Sequence, residues 1–113
     1  MMTDWNAYRA HLGESIHAFA TLSPDTLKGL QTLDGAATKT GRLDAKTREL
    51  IALAVAVTTR CDGCISVHST AAVKAGASRE EIAEALGVAV ALNAGAAVVY
   101  SSRVLDAVDT VVP

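Results

Sequence analysis

Aromatic residues are scarce in this sequence: one Trp, one Phe and two Tyr, or 4% of 113 residues. Half the chain is apolar, so a core is available, but it has to be built from Ala, Val and Leu. Small side chains fill little volume, and the elements that carry them must approach closely. Charge of one sign is lacking too. The net charge is −2, and Lys and Arg are scattered rather than clustered. That excludes the electrostatic footprint of a nucleic-acid or anionic-membrane partner. The N-terminus has no basic run followed by an apolar stretch, so no secretory signal is read and a cytoplasmic location is expected. Internal repeats and low-complexity tracts are absent. The length suits one domain spanning residues 1–113. Cysteine is limited to two residues, Cys61 and Cys64. In a reducing cytosol a Cys-x-x-Cys pair points to catalysis, redox exchange or metal binding before it points to a permanent staple.

The pattern that is present is helical throughout. Asp4 can cap a first helix, on which Trp5, Tyr8, Leu12, Ile16 and Phe19 recur at spacings of three and four. Ser23 followed by Pro24 is a helix start, and Leu27, Leu30 and Leu33 form the stripe of a short second helix. Residues 35–42, polar and beginning at Gly35, read as a connector. Asp44 caps a third helix in which every residue from Leu50 to Val57 is apolar, as expected of a helix buried on all sides. Arg60 to Gly63 break that run and start a fourth helix, ended by Gly76 as a left-handed cap. Ser78 and Glu81 form a capping box for a fifth helix running to about Val99. Ala83, Gly87, Ala91 and Gly95 give that helix a smooth strip for close packing. A last short helix is expected over residues 101–108. The sequence thus predicts an all-α fold of about six helices, with a central antiparallel hairpin carrying the cysteines.

No charged residue occurs from Ala85 to Ser102. Glu84, Asn93 and the many alanines make this a poor membrane span. A chain this small has few places to bury such a helix all round. Subunit contacts through it, or through the third helix, are therefore expected.

Residues 49–68 concentrate the chemistry. Cys61 and Cys64 lie at the start of a helix, where one turn brings both sulfurs to the same side and a disulfide can close. The helix N-terminus favours thiolate over thiol. Arg60 adds a neighbouring cation, which Asp62 partly opposes, and Gly63 leaves the approach to both sulfurs open. His68 follows Cys64 by four residues and shares its helical face, where an imidazole can take the thiol proton. Glu49 lies about 14 Å back from the hairpin turn at the helical rise, and His68 lies about 9 Å beyond it. Those levels differ by about one turn, which long side chains bridge. The implied relay runs from Glu49 through His68 to Cys64, with Cys61 as the resolving thiol. Other readings share these residues. The cysteines could be small core residues, and Cys61, Cys64, His68 and Glu49 could together ligate zinc. Glu49 could pair with Lys46 one turn back, and His68 could be an ordinary helix histidine. His11 and His17, on the first helix, lack such company and read as structural or exposed.

Glu49, then eleven residues, then Cys61-x-x-Cys64-x-x-x-His68, resembles the signature of the alkylhydroperoxidase AhpD-like family, within the carboxymuconolactone decarboxylase superfamily. Residues 43–54 resemble the family's helix before the cysteines, and residues 75–85 its following turn and helix. The resemblance implies an all-helical fold assembled as a homotrimer or homohexamer. It implies a peroxidase that needs no cofactor or metal and reduces small hydroperoxides at the expense of an external dithiol. By match of position, Cys64 would attack the peroxide and become a sulfenic acid, and Cys61 would condense with it to a disulfide. A second histidine stands between the cysteines in the best-known members, where this chain has Gly63. The superfamily's decarboxylase branch generally lacks the cysteine pair.

Overall fold

The computed structural model describes residues 2–113, and the described chain is all-helical. Five helices follow in order: α1 (Trp5–Leu22), α2 (Pro24–Thr40), α3 (Ala45–Thr59), α4 (Asp62–Lys74) and α5 (Arg79–Asp109). The starts lie where the capping residues put them. The Asp4 carboxylate accepts from the Ala7 amide at 3.1 Å, and the Asp44 carboxylate from the Thr47 amide at 2.8 Å. Ser78 and Glu81 make the reciprocal capping box, each bond 3.0 Å. Each cap satisfies an amide that has no partner within its helix.

Two expectations need correction. α2 is not short, and residues 35–40 belong to it rather than to a connector. Gly35 lowers helix propensity without ending the helix. The stop is Gly41, at φ +68°, whose amide bonds to Ala37 O. The fifth and sixth helices are one continuous α5 of 31 residues. Ser101 and Ser102 do not interrupt it, because their hydroxyls turn back onto the helix's own carbonyls. Ser101 Oγ donates to Ala97 O at 2.6 Å and Ser102 Oγ to Val99 O at 2.7 Å.

The centre of the fold is the α3–α4 hairpin, with α5 packed along α3 and α1 against α4. α2 leans principally on α1. The hairpin turn is made by Arg60, in the left-handed region at φ 55°. It lets the Cys61 amide bond back to Ala56 O at 3.0 Å and starts α4 two residues later. The buried residues are Leu53 and Ala56 on α3, Ser66 and Ala72 on α4, and Ala89 on α5. This is the close-approach core expected of a chain poor in aromatics. It is also very small, and Val88, Leu92, Val98, Val99 and Tyr100 of α5 are all more than half exposed. The radius of gyration is 18.5 Å, against about 13 Å for a compact chain of this length.

Candidate functional site

The hairpin places the chemistry of residues 49–68 around the first two turns of α4. Cys61 is the N-cap residue, and its sulfur accepts from the Cys64 amide at 3.1 Å. Cys61 and Cys64 are joined as a disulfide, with Cα atoms 5.2 Å apart. The bonded pair sits where the free N–H groups and positive end of α4 would stabilise negative charge on a released sulfur.

His68 lies on the next turn of α4, and Glu49 on the facing flank of α3. His68 Nδ1 and Glu49 Oε2 are 2.6 Å apart. Both side chains are partly buried, 34% and 25% exposed. The one-turn offset expected from the helical rise is therefore bridged by the two side chains. With Glu49 ionised, Nδ1 carries the proton it donates, which leaves Nε2 as the nitrogen available for proton exchange. The alternative partner for Glu49 is engaged elsewhere: the Lys46 ammonium pairs with Glu81 Oε2 at 2.7 Å. That pairing holds the Lys46 ammonium above its ordinary range and the Glu81 carboxyl below its own. Hydrogen bonds from Thr47 hold the Asp44 carboxyl low in the same way. Among the described residues, no group of three or more His, Cys, Asp or Glu is arranged to hold a metal ion.

Three residues at the site escaped the sequence reading. Arg9 of α1 reaches α4, its Nε donating to Ser66 O at 2.8 Å and its Nη2 to Ser69 Oγ at 3.2 Å. Ser66 is fully buried and donates to Gly63 O at 2.8 Å. Leu12 lies beside Gly63, where a Cβ would meet its Cδ2 at 3.4 Å, an ordinary contact distance. Leu12 was legible as part of an apolar stripe, whereas nothing in the sequence marks which helix that stripe meets. His11 and His17 are exposed on α1, away from these contacts.

A family model described as the carboxymuconolactone decarboxylase family matches residues 24–107. The chain belongs to the carboxymuconolactone decarboxylase family. Relatives of this family member run nearly the full length of the chain. An uncharacterized protein of Haemophilus influenzae is 55% identical, covering 95% of each chain. One from Paracoccus denitrificans, described as uncharacterized protein 4 in the cox locus, is 37% identical over 90% of this chain and 88% of its own. A crystal structure of a carboxymuconolactone decarboxylase family protein from Legionella pneumophila is similar in fold and sequence. Its TM-score is 0.73 at 39% identity, and it covers 94% of this chain and 95% of its own. The family match opens at the N-terminus of α2, so α1 with Arg9 and Leu12 lies outside it.

Proposed function

We propose that this family member is a thiol-dependent peroxidase that reduces small hydroperoxides through the Cys61–Cys64 dithiol. The observation that carries the reading is the juxtaposition of a closable cysteine pair at a helix N-terminus with a carboxylate-anchored imidazole one turn on. In the reduced protein, the Cys64 thiol gives its proton to His68 Nε2, and Glu49 stabilises the resulting imidazolium through Nδ1. The Cys64 thiolate attacks the terminal peroxide oxygen, the O–O bond breaks, and the alkoxide leaves with a proton from His68. Cys64 is then a sulfenic acid, which Cys61 converts to the disulfide with loss of water. An external dithiol returns two electrons and two protons by exchange. The protein works in the cytoplasm in this reading, as a homotrimer or homohexamer. The exposed apolar faces of α3 and α5 support such an assembly.

The test is peroxide consumption by the reduced protein with a dithiol present, together with thiol counts by mass spectrometry. One equivalent of organic hydroperoxide is expected to remove two thiols as a Cys61–Cys64 disulfide. Cys64→Ser should abolish turnover while leaving the helical circular dichroism unchanged. Two thiols that survive peroxide would overturn the reading. Activity that survived replacement of both cysteines would point instead to lyase chemistry on Glu49 and His68.

A further inference from the structure

Ser66 is the one buried polar residue among those described, in a core otherwise made of Leu53 and three alanines. It stands two residues after Cys64 and two before His68. Its hydroxyl donates at 2.8 Å to Gly63 O, the carbonyl of a residue between the two cysteines. Its own carbonyl is a meeting point for donors. Arg9 Nε reaches it at 2.8 Å, and Ser69 Oγ and Thr70 Oγ1 reach it at 3.3 Å each. Arg9 Nη2 also donates to Ser69 Oγ at 3.2 Å. One continuous network therefore runs from a guanidinium on α1 to the backbone inside the Cys-x-x-Cys turn. Hydroxyls that bond back to their own helix loosen it slightly, and Gly63 adds little helix propensity. The charge-assisted fork from Arg9 opposes both effects by tying this stretch of α4 to α1.

Arg9 is also a charge without a counter-charge. Among the described residues the ion pairs are Lys46–Glu81 and His68–Glu49, and no carboxylate meets Arg9. Its donors go to the Ser66 carbonyl, the Ser69 hydroxyl and, at 3.4 Å, Asn6 Oδ1. A guanidinium stays protonated, and partial burial leaves its charge less screened than in water. Ser66 lies about 160° around α4 from Cys64. Arg9 thus stands behind the redox helix, one helix thickness of about 10 Å from the sulfurs, and leaves their approach untouched. A charge acts over that distance where a side-chain contact does not. The other ionisable groups around the motif leave it a part to play. Arg60 and Asp62 flank Cys61 with opposite signs, and Glu49 beside a neutral His68 contributes a negative charge. Without Arg9 that set is net negative, which opposes a thiolate; with Arg9 it is neutral.

We propose that Arg9 is a positioning residue of the redox site: bound to Ser66 O, it holds a positive charge behind the dithiol and favours its thiolate form. This rests on the redox reading above. No bond to Arg9 forms or breaks. The proton still leaves a cysteine thiol for His68 or solvent, and Arg9 makes that loss easier.

The experiment uses the full-length reduced protein and no peroxide. Alkylation of the dithiol by iodoacetamide is followed against pH by mass spectrometry, and the midpoint of the rate profile reports the thiolate. Wild type is compared with Arg9→Gln, which removes the charge, and Arg9→Lys, which keeps the charge and loses the fork. Circular dichroism and melting temperature check the fold of each. In Arg9→Gln the lower midpoint is expected to rise by about half a pH unit, so that alkylation at pH 6 slows about threefold. Arg9→Lys is expected to restore most of that rate. A purely structural clamp would lower both melting temperatures and leave both midpoints at the wild-type value. An unmoved midpoint in folded Arg9→Gln therefore overturns the proposal, as does a lysine variant that shifts as far as glutamine. Arg9→Met, also uncharged, serves if the glutamine variant does not fold. If the reduced protein ignores peroxide, the peroxidase reading falls, but the midpoints still judge Arg9.

Discussion

His68 depends on a single short bond to Glu49 for its orientation, so the two residues should fail in different ways. Replacing His68 by Ala removes the proton acceptor and is expected to slow Cys64 oxidation by an organic hydroperoxide about a hundredfold, the lower range for general acid–base catalysis. Glu49→Gln leaves the ring in place and should cost less, mainly by letting the ring turn. Stopped-flow thiol oxidation separates them, and equal rates in wild type and the alanine variant would remove the relay. Arg60 makes a second residue-scale prediction. It is the non-glycine residue with a positive φ among those described, a conformation that costs an L-residue about 1–2 kcal/mol. Arg60→Gly should raise unfolding stability by about 1 kcal/mol in urea titration, and no gain would show that the arginine side chain repays the strain. The sequence made Glu49, His68 and both cysteines legible because helical rise and phase within one hairpin are nearly deterministic. The contacts of Leu12 and Arg9 with α4 were not legible, because they depend on where α1 crosses α4, and crossing is decided by tertiary packing.

At the scale of elements, the starts were readable and so was the stop of α4 at Gly76, which has φ +91°, whereas the ends of α2 and α5 were not. Asp4, Asp44 and Ser78 each carry a side-chain oxygen that a first-turn amide needs. The real extents of α2 and α5 depended on weaker cues, a glycine inside a helix and two serines that bond to their own helix. The N-termini of α3 and α5 are tied together by Lys46 and Glu81. This tie gives stability a defined pH profile. The carboxyls of Glu81 and Asp44 titrate below their ordinary range when folded, Glu81 chiefly through Lys46 and Asp44 chiefly through Thr47. Their contribution is complete above the ordinary carboxylate range and is lost as pH falls through the depressed folded values. The ammonium of Lys46 is held up by Glu81, so its share persists through neutrality and is lost only as pH rises through the elevated value. Melting temperature should therefore be flat around neutral pH and fall on acidification. Lys46→Met should lower the melting temperature slightly at pH 7, because the pair is exposed, and should shrink the acid limb by the same small amount. An acid limb of the same steepness in that variant would show that other groups control it.

For the molecule as a whole, the balance of apolar surface is the deciding feature. Leu92 and its neighbours on α5 line an open apolar groove with Ile51 and Val55 of α3. In the proposed assembly this groove is covered by another copy. Leu92→Asp would place a charge there and is expected to shift sedimentation from oligomer toward monomer, with a lower melting temperature. An unchanged oligomer would place the contact on another face. Within the chain only Leu53 and four small residues are buried; in the proposed assembly the rest of the core is supplied by other copies, and mass action would then enter the chain's stability. Its melting temperature should climb with protein concentration. In the cell the folded amount would respond to synthesis more steeply than in proportion. Halving the dose of the gene would leave less than half of the working protein, and the peroxide defence proposed for it would switch on over a narrow span of expression.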